Sequence, residues 1–156
     1  SVQSAFFQIA FNHFLNTLFA DSSLLVADEK RNRYAWLLQN ETLPVIPETV
    51  NLVRRLREQG IPYAIGTGSM PSGAMETLES AGVADLFPIM VTPADVPPED
   101  FAASKPAPDC YIRAAEALEC QRTECVVFED AEPGIQAAMA GGMDYVRVGE
   151  CPPVRD

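Results

Sequence analysis

The apolar positions change their period near residue 44, and with it the elements they predict. Before that point Phe7, Phe11, Phe14, Leu15 and Leu18 fall on one helical stripe, widened by Phe6, Ala10 and Phe19. Asp21, Ser22 and Ser23 then offer N-cap chemistry. A second helix is predicted over residues 24–39, sparser in apolar positions and charged in its middle, from Asp28 to Arg33. Phe7, Ile9 and Phe11 also alternate at period two, which leaves a short strand near residues 5–11 open. Beyond residue 44, short apolar runs alternate with helices bounded by proline and glycine. Pro47 opens a helix that Gly60 closes, and Pro71 opens one that runs to Ala81 before Gly82. Pro108 opens a third, to Leu118, and Pro133 a fourth, to Ala140, ended by Gly141-Gly142. The apolar runs between them, residues 61–65, 88–92, 125–128 and 145–148, read as strands. This alternation predicts an α/β, Rossmann-like parallel sheet with crossover helices in three layers. Ligands of such sheets sit at the carboxyl ends of the strands, so chemistry is sought there.

Composition narrows the class. The chain has 156 residues, 47% apolar and 21% charged, which fits a soluble globule of one domain or one domain with an appendage. All nine glycines and all thirteen prolines lie from residue 44 onward, whereas five of the eight Phe precede residue 20, so 1–43 and 44–156 are expected to be distinct parts. There is no apolar run of membrane-spanning length and no visible secretory signal. The net charge of −11 argues against nucleic acid and anionic membranes as partners. Four cysteines without a C-x-x-C pair, and a single His, give no zinc pattern; free thiols in a cytoplasmic, reducing setting are expected.

Three strand ends carry candidate chemistry. After the first comes Gly66-Thr67-Gly68-Ser69, where glycines let backbone N–H groups approach an anion at a helix N-terminus. The structural alternative is a turn with Ser69 as helix cap. After the second comes Ser104-Lys105-Pro106-Ala107-Pro108-Asp109, in which a lysine on a stiff mount suits a phosphoryl oxygen or a nucleophilic carboxylate. The alternative is an ordinary surface lysine. After the third come Glu129 and Asp130, adjacent carboxylates that repel unless a cation such as Mg²⁺ lies between them. The alternative places Asp130 as a helix cap and Glu129 in solvent.

Together the stretches Ile65–Ser69, Ala102–Asp109 and Val126–Ala138 resemble the haloacid dehalogenase superfamily, in its β-phosphoglucomutase and sugar-phosphate phosphatase branch. The likeness spans about residues 24–150, with residues 30–50 resembling the last cap helix and the hinge back to the core. It implies phosphoryl transfer on a small phosphorylated metabolite. Thr67 and Gly68 would bind the phosphoryl group, with Ser69 beside them, Lys105 would stabilise it, and Glu129 and Asp130 would place Mg²⁺. The family's first motif, an Asp-x-Asp after the first strand that supplies nucleophile and proton shuttle, occurs nowhere in the 156 residues. The expectation is therefore a chain that begins inside the cap, with 1–43 a partial helical cap and 44–156 a core lacking its central strand. Unpaired backbone at a sheet centre is costly. The gap is expected to be filled by the segment near residues 5–11, by a strand from a second copy, by re-pairing of its neighbours, or by another polypeptide. The Phe-rich helix would leave an apolar patch suited to a homodimer. Three functions are compatible with these residues: a phosphatase or phosphomutase domain inactive unless completed, a non-catalytic binding protein of the same fold, or an assembly module.

Overall fold

The computed structural model describes residues 4–7, 32, 34–36, 38–40, 42, 43, 45–95 and 105–148. Five parallel strands form one sheet: β1 (Ser4–Phe7), β2 (Tyr63–Gly66), β3 (Met90–Val91), β4 (Cys125–Glu129) and β5 (Asp144–Arg147), in the order β3-β2-β1-β4-β5. Four helices alternate with them: α1 (Pro47–Glu58), α2 (Pro71–Ser80), α3 (Asp109–Ala117) and α4 (Glu132–Ala140).

The centre of the sheet corrects the expected domain division. Ser4–Phe7 lies between β2 and β4, with Phe7 level with Ile65 on one side and Phe128 on the other. The core therefore has a central strand, and the first 43 residues are not all cap. Of the four occupants considered, the period-two segment near the start fills the position. Phe6 and Phe7 are thus strand residues rather than members of a helical stripe. The physical reason is the neighbours: β2 and β4 would otherwise bury two rows of unpaired N–H and C=O groups. The rest of the Phe stripe, Phe11 to Phe19, lies outside the described residues, as does the homodimer surface built on it. So do residues 97–101. Residues 32, 34–36 and 38–40 are helical, in line with the end of the second expected helix. This stretch sits on α2, where the Tyr34 hydroxyl meets the Thr77 hydroxyl.

Local chemistry sets the helix limits. Proline stands in the first turn of α1, α2 and α4. All four helices end in the same way: the residue beyond the C-cap turns left-handed and returns its N–H to the last turn, and the next residue's N–H reaches one carbonyl further back. Glycine takes the left-handed position at Gly60, Gly82 and Gly142, but at the end of α3 it is Glu119, with φ 54°. The strand expected at 88–92 shortens to two residues because the Thr92 N–H and hydroxyl both donate to Asp95 Oδ2, each at 2.8 Å, and close a turn.

The two faces of the sheet carry separate cores. Val53 of α1 and Leu78 of α2 pack with Tyr63 and Ile65 of β2 on one face. On the other, Ala64 and Val127 meet Tyr111, Ala114 and Ala115 of α3 and Ala137 and Ala138 of α4. Alanines on both α3 and α4 let these helices lie close to the sheet. That closeness brings Tyr111 under the ends of β2 and β4. Among the described residues no helix is long and apolar enough to cross a membrane.

Candidate functional site

β2 ends at Gly66 and passes into Thr67-Gly68-Ser69 before α2. Gly66 lies against α3: an added Cβ would stand 3.0 and 3.2 Å from ring atoms of Tyr111. The Thr67 N–H donates to the Val91 carbonyl at 2.9 Å. Its hydroxyl accepts the Ser69 N–H at 3.1 Å, which leaves the hydroxyl's own proton to donate elsewhere. Gly68 and Ser69 are exposed, and a Cβ at Gly68 would meet nothing within 4 Å. The N-cap of α2 is Met70, without a side-chain cap bond, so the alternative of Ser69 as cap is not realised.

Lys105 stands four residues before α3, and the Lys105–Pro106 peptide is cis. Its side chain is only 10% exposed, unlike an ordinary surface lysine. The ammonium donates to the Tyr111 hydroxyl at 2.7 Å, to Glu129 Oε2 at 3.0 Å and to the Gly66 carbonyl at 3.3 Å. One cation thus ties together the ends of β2 and β4.

The two adjacent carboxylates divide. Glu129 is fully buried. Its Oε2 also accepts the Tyr111 hydroxyl at 2.5 Å, and its Oε1 accepts the Ala131 N–H at 3.0 Å. Burial pushes this carboxyl up, but the Lys105 ammonium, the Tyr111 hydroxyl and the backbone N–H outweigh it and hold the group below its usual range. Both of its oxygens accept hydrogen bonds within the protein, Oε2 from Lys105 and Tyr111 and Oε1 from Ala131. The buried Oδ1 of Asp130 has no hydrogen-bond partner. Burial first, and then the neighbouring Glu129, raise its carboxyl to about 6. The N-cap of α4 is Ala131, so Asp130 does not serve as a cap. Among the described residues no group of three or more His, Cys, Asp or Glu side chains forms a metal cage. An unpaired buried carboxylate oxygen beside a second carboxylate nevertheless fits an oxygen-preferring cation.

The structure therefore joins Lys105, Glu129 and the Gly66–Thr67 turn, sets Asp130 beside them, and leaves Gly68 and Ser69 at the open edge. Sequence reasoning missed Tyr111 and Gly134. A buried tyrosine needs a partner for its hydroxyl, and Tyr111 lies in the first turn after the Lys105 loop, a hint available from spacing. Gly134 had no such signal: its lack of a side chain makes room for Glu129, whose Cδ lies 2.1 Å from where a Cβ would be.

Residues 6–142 match the family model described as haloacid dehalogenase-like hydrolase. Fructose-1-phosphate phosphatase YqaB of Escherichia coli (strain K12) is 44% identical over 87 residues, covering 56% of this chain and 44% of that protein. Beta-phosphoglucomutase of Bacillus subtilis (strain 168) is 31% identical over 127 residues, covering 80% of this chain and 53% of the relative. The chain thus spans about half the length of these relatives. Among solved structures, a HAD family hydrolase from Deinococcus radiodurans R1 with bound phosphate and sodium superposes with a TM-score of 0.66 at 26% identity, over 85% of this chain and 56% of that one. CbbY from Rhodobacter sphaeroides shares the fold at a TM-score of 0.71 and 17% identity, over 93% of this chain and 85% of that one.

Proposed function

As a member of the haloacid dehalogenase-like hydrolases, the chain is one for which we propose a phosphoryl-handling site of the sugar-phosphate phosphatase and phosphomutase kind, in which these residues bind the phosphoryl group and supply no nucleophile of their own. The observation that carries this is the Lys105 ammonium held between the Gly66 carbonyl and the Glu129 carboxylate, at the rim where the sheet's strands end. A fixed cation in a half-dry site interacts with a phosphoryl oxygen far more strongly than a solvated one. Thr67 adds a hydroxyl proton, and the open backbone at Gly68 admits the anion without a side chain in the way. Asp130, with its unpaired oxygen, would hold Mg²⁺, which when bound would offset the charge of the phosphoryl oxygens. The relatives' sugar-phosphate substrates make a small phosphorylated metabolite the ligand class.

Binding without turnover is supported by the residues just after β1. The family resemblance leads one to expect two carboxylates directly after the central strand. Here the sequence continues Gln8-Ile9-Ala10, and no acidic residue occurs before Asp21. An amide and a methyl group can neither attack phosphorus nor shuttle a proton.

The test is calorimetric titration of inorganic phosphate and a panel of sugar phosphates into the full chain, with and without Mg²⁺, beside a phosphate-release assay. Lys105→Met and Asp130→Asn are run in parallel, each first shown to be folded. Saturable binding that Lys105→Met removes, Mg²⁺ enhancement that Asp130→Asn removes, and no release are the expected results. Binding indifferent to Lys105 would refute the site. Release that depends on both residues would refute the absence of a nucleophile.

A further inference from the structure

Phosphoryl binding by Lys105 leaves unexplained the residue that grips the lysine. Tyr111 is fully buried, and its hydroxyl is the hinge of the network: it donates to Glu129 Oε2 at 2.5 Å and accepts from Lys105 Nζ at 2.7 Å. An ammonium has three hydrogens and no acceptor. Three acceptors surround it here, the Tyr111 hydroxyl, Glu129 Oε2 and the Gly66 carbonyl. An incoming phosphoryl oxygen competes with these partners for the ammonium hydrogens. The Gly66 carbonyl is the weakest, at 3.3 Å against 2.7 and 3.0 Å. It is also the one beside Thr67.

We propose that Tyr111 is a positioning residue: its hydroxyl, fixed by Glu129, holds the Lys105 ammonium so that the hydrogen now on Gly66 is the one surrendered to the ligand. This rests on Lys105 being the phosphoryl clamp. Without the hydroxyl, Glu129 still holds Lys105 and the Ala131 N–H. The ammonium is then drawn onto the carboxylate and away from the rim. The Tyr111 ring also fills the space where a Gly66 side chain would stand, 3.0 Å from an added Cβ, so the lysine's two partners lie side by side.

The experiment compares wild-type chain, Tyr111→Phe and Lys105→Met by ¹⁵N NMR of the lysine ammonium groups and by inorganic phosphate titration. In the wild type, a Lys105 ammonium signal protected from solvent exchange is expected, absent in Lys105→Met. Tyr111→Phe is expected to speed that exchange and to weaken phosphate binding about tenfold, the loss of one charge-assisted hydrogen bond. Exchange in Tyr111→Phe within twofold of wild type overturns the proposal. So does unchanged or tighter phosphate binding in Tyr111→Phe when Lys105→Met has lost it. If phosphate fails to bind even the wild type, the clamp reading is what fails, and the exchange comparison still decides whether Tyr111 positions Lys105. Should Tyr111→Phe not fold, a through-space contact between the Tyr111 hydroxyl proton and the Lys105 ammonium in wild-type protein decides it: its presence supports the proposal and its absence overturns it.

Discussion

Two glycines at the same helical position are expected to respond in opposite ways to alanine. Gly73 and Gly134 are each the third residue of a helix, α2 and α4, and each shares its turn with a proline. Replacing glycine by alanine in a helix is ordinarily favourable by up to about 1 kcal/mol. At Gly73 the new Cβ meets nothing within 4 Å, so Gly73→Ala should gain most of that. At Gly134 the Cβ would lie 2.1 Å from Glu129 Cδ, 2.2 Å from Oε2 and 2.5 Å from Cγ. Oε2 is the atom that holds both Lys105 and Tyr111. Glu129 is fully buried and cannot swing into solvent without opening the site, so the pair must break or α4 must move. Breaking a buried ion pair costs about 3–5 kcal/mol. Set against the helical gain, Gly134→Ala should destabilise by about 2–4 kcal/mol, a fall of roughly 5–15 °C in melting temperature for a chain of this size. Urea and thermal unfolding of the two variants beside wild type is the assay. A Gly134→Ala protein as stable as Gly73→Ala would refute the placement of Glu129 under α4, and with it the account of how Lys105 is held.

Other expectations concern charge and backbone. Asp130 has a folded-state value raised to about 6, above the ordinary aspartate value of about 3.9. Its contribution to stability is therefore complete below the ordinary value and is lost as pH rises through about 6. In chelator, the melting temperature should fall across that window in wild type and stay level there in Asp130→Asn. Glu129 acts in the opposite sense: its lowered value supplies stability above the usual carboxylate range that disappears on further acidification. Glu119 holds a left-handed conformation, with φ 54°, that the three other helix ends assign to glycine. Glu119→Gly should stabilise by about 0.5–1 kcal/mol, read from urea midpoints, and a loss would contradict that end of α3.

Much of the framework was legible because it is governed by short-range chemistry. Proline fixes its own torsion and lacks an N–H, so Pro47, Pro71 and Pro133 mark first turns wherever they occur. The residues beyond three helices adopt a conformation open to glycine, so Gly60, Gly82 and Gly142 mark stops. Alternation of helix with apolar run implies parallel strands because a parallel connection needs a crossover. From that rule came the strand-end positions of Gly66–Ser69 and of Glu129 and Asp130.

The features that the sequence alone could not decide depend on partners distant in the chain. Phe6 and Phe7 satisfy a helical stripe and a strand pattern equally. Only the exposed backbone of Tyr63–Ile65 on one side and Cys125–Phe128 on the other makes them strand. Glu129 and Asp130 are neighbours of like chemistry, yet Glu129, the last residue of β4, meets Lys105 and Tyr111, whereas Asp130, just beyond the strand, keeps a buried unpaired oxygen. The role of Gly134 is likewise invisible in its own segment, because the space it vacates is filled by a side chain from β4. By itself the sequence determined where the helices beyond residue 44 start and stop and which residues follow the strand ends, since torsion and capping are properties of a few consecutive residues. The tertiary structure decided which segment completes the sheet and how the charges pair, since burial and hydrogen-bond satisfaction are settled only once distant segments pack.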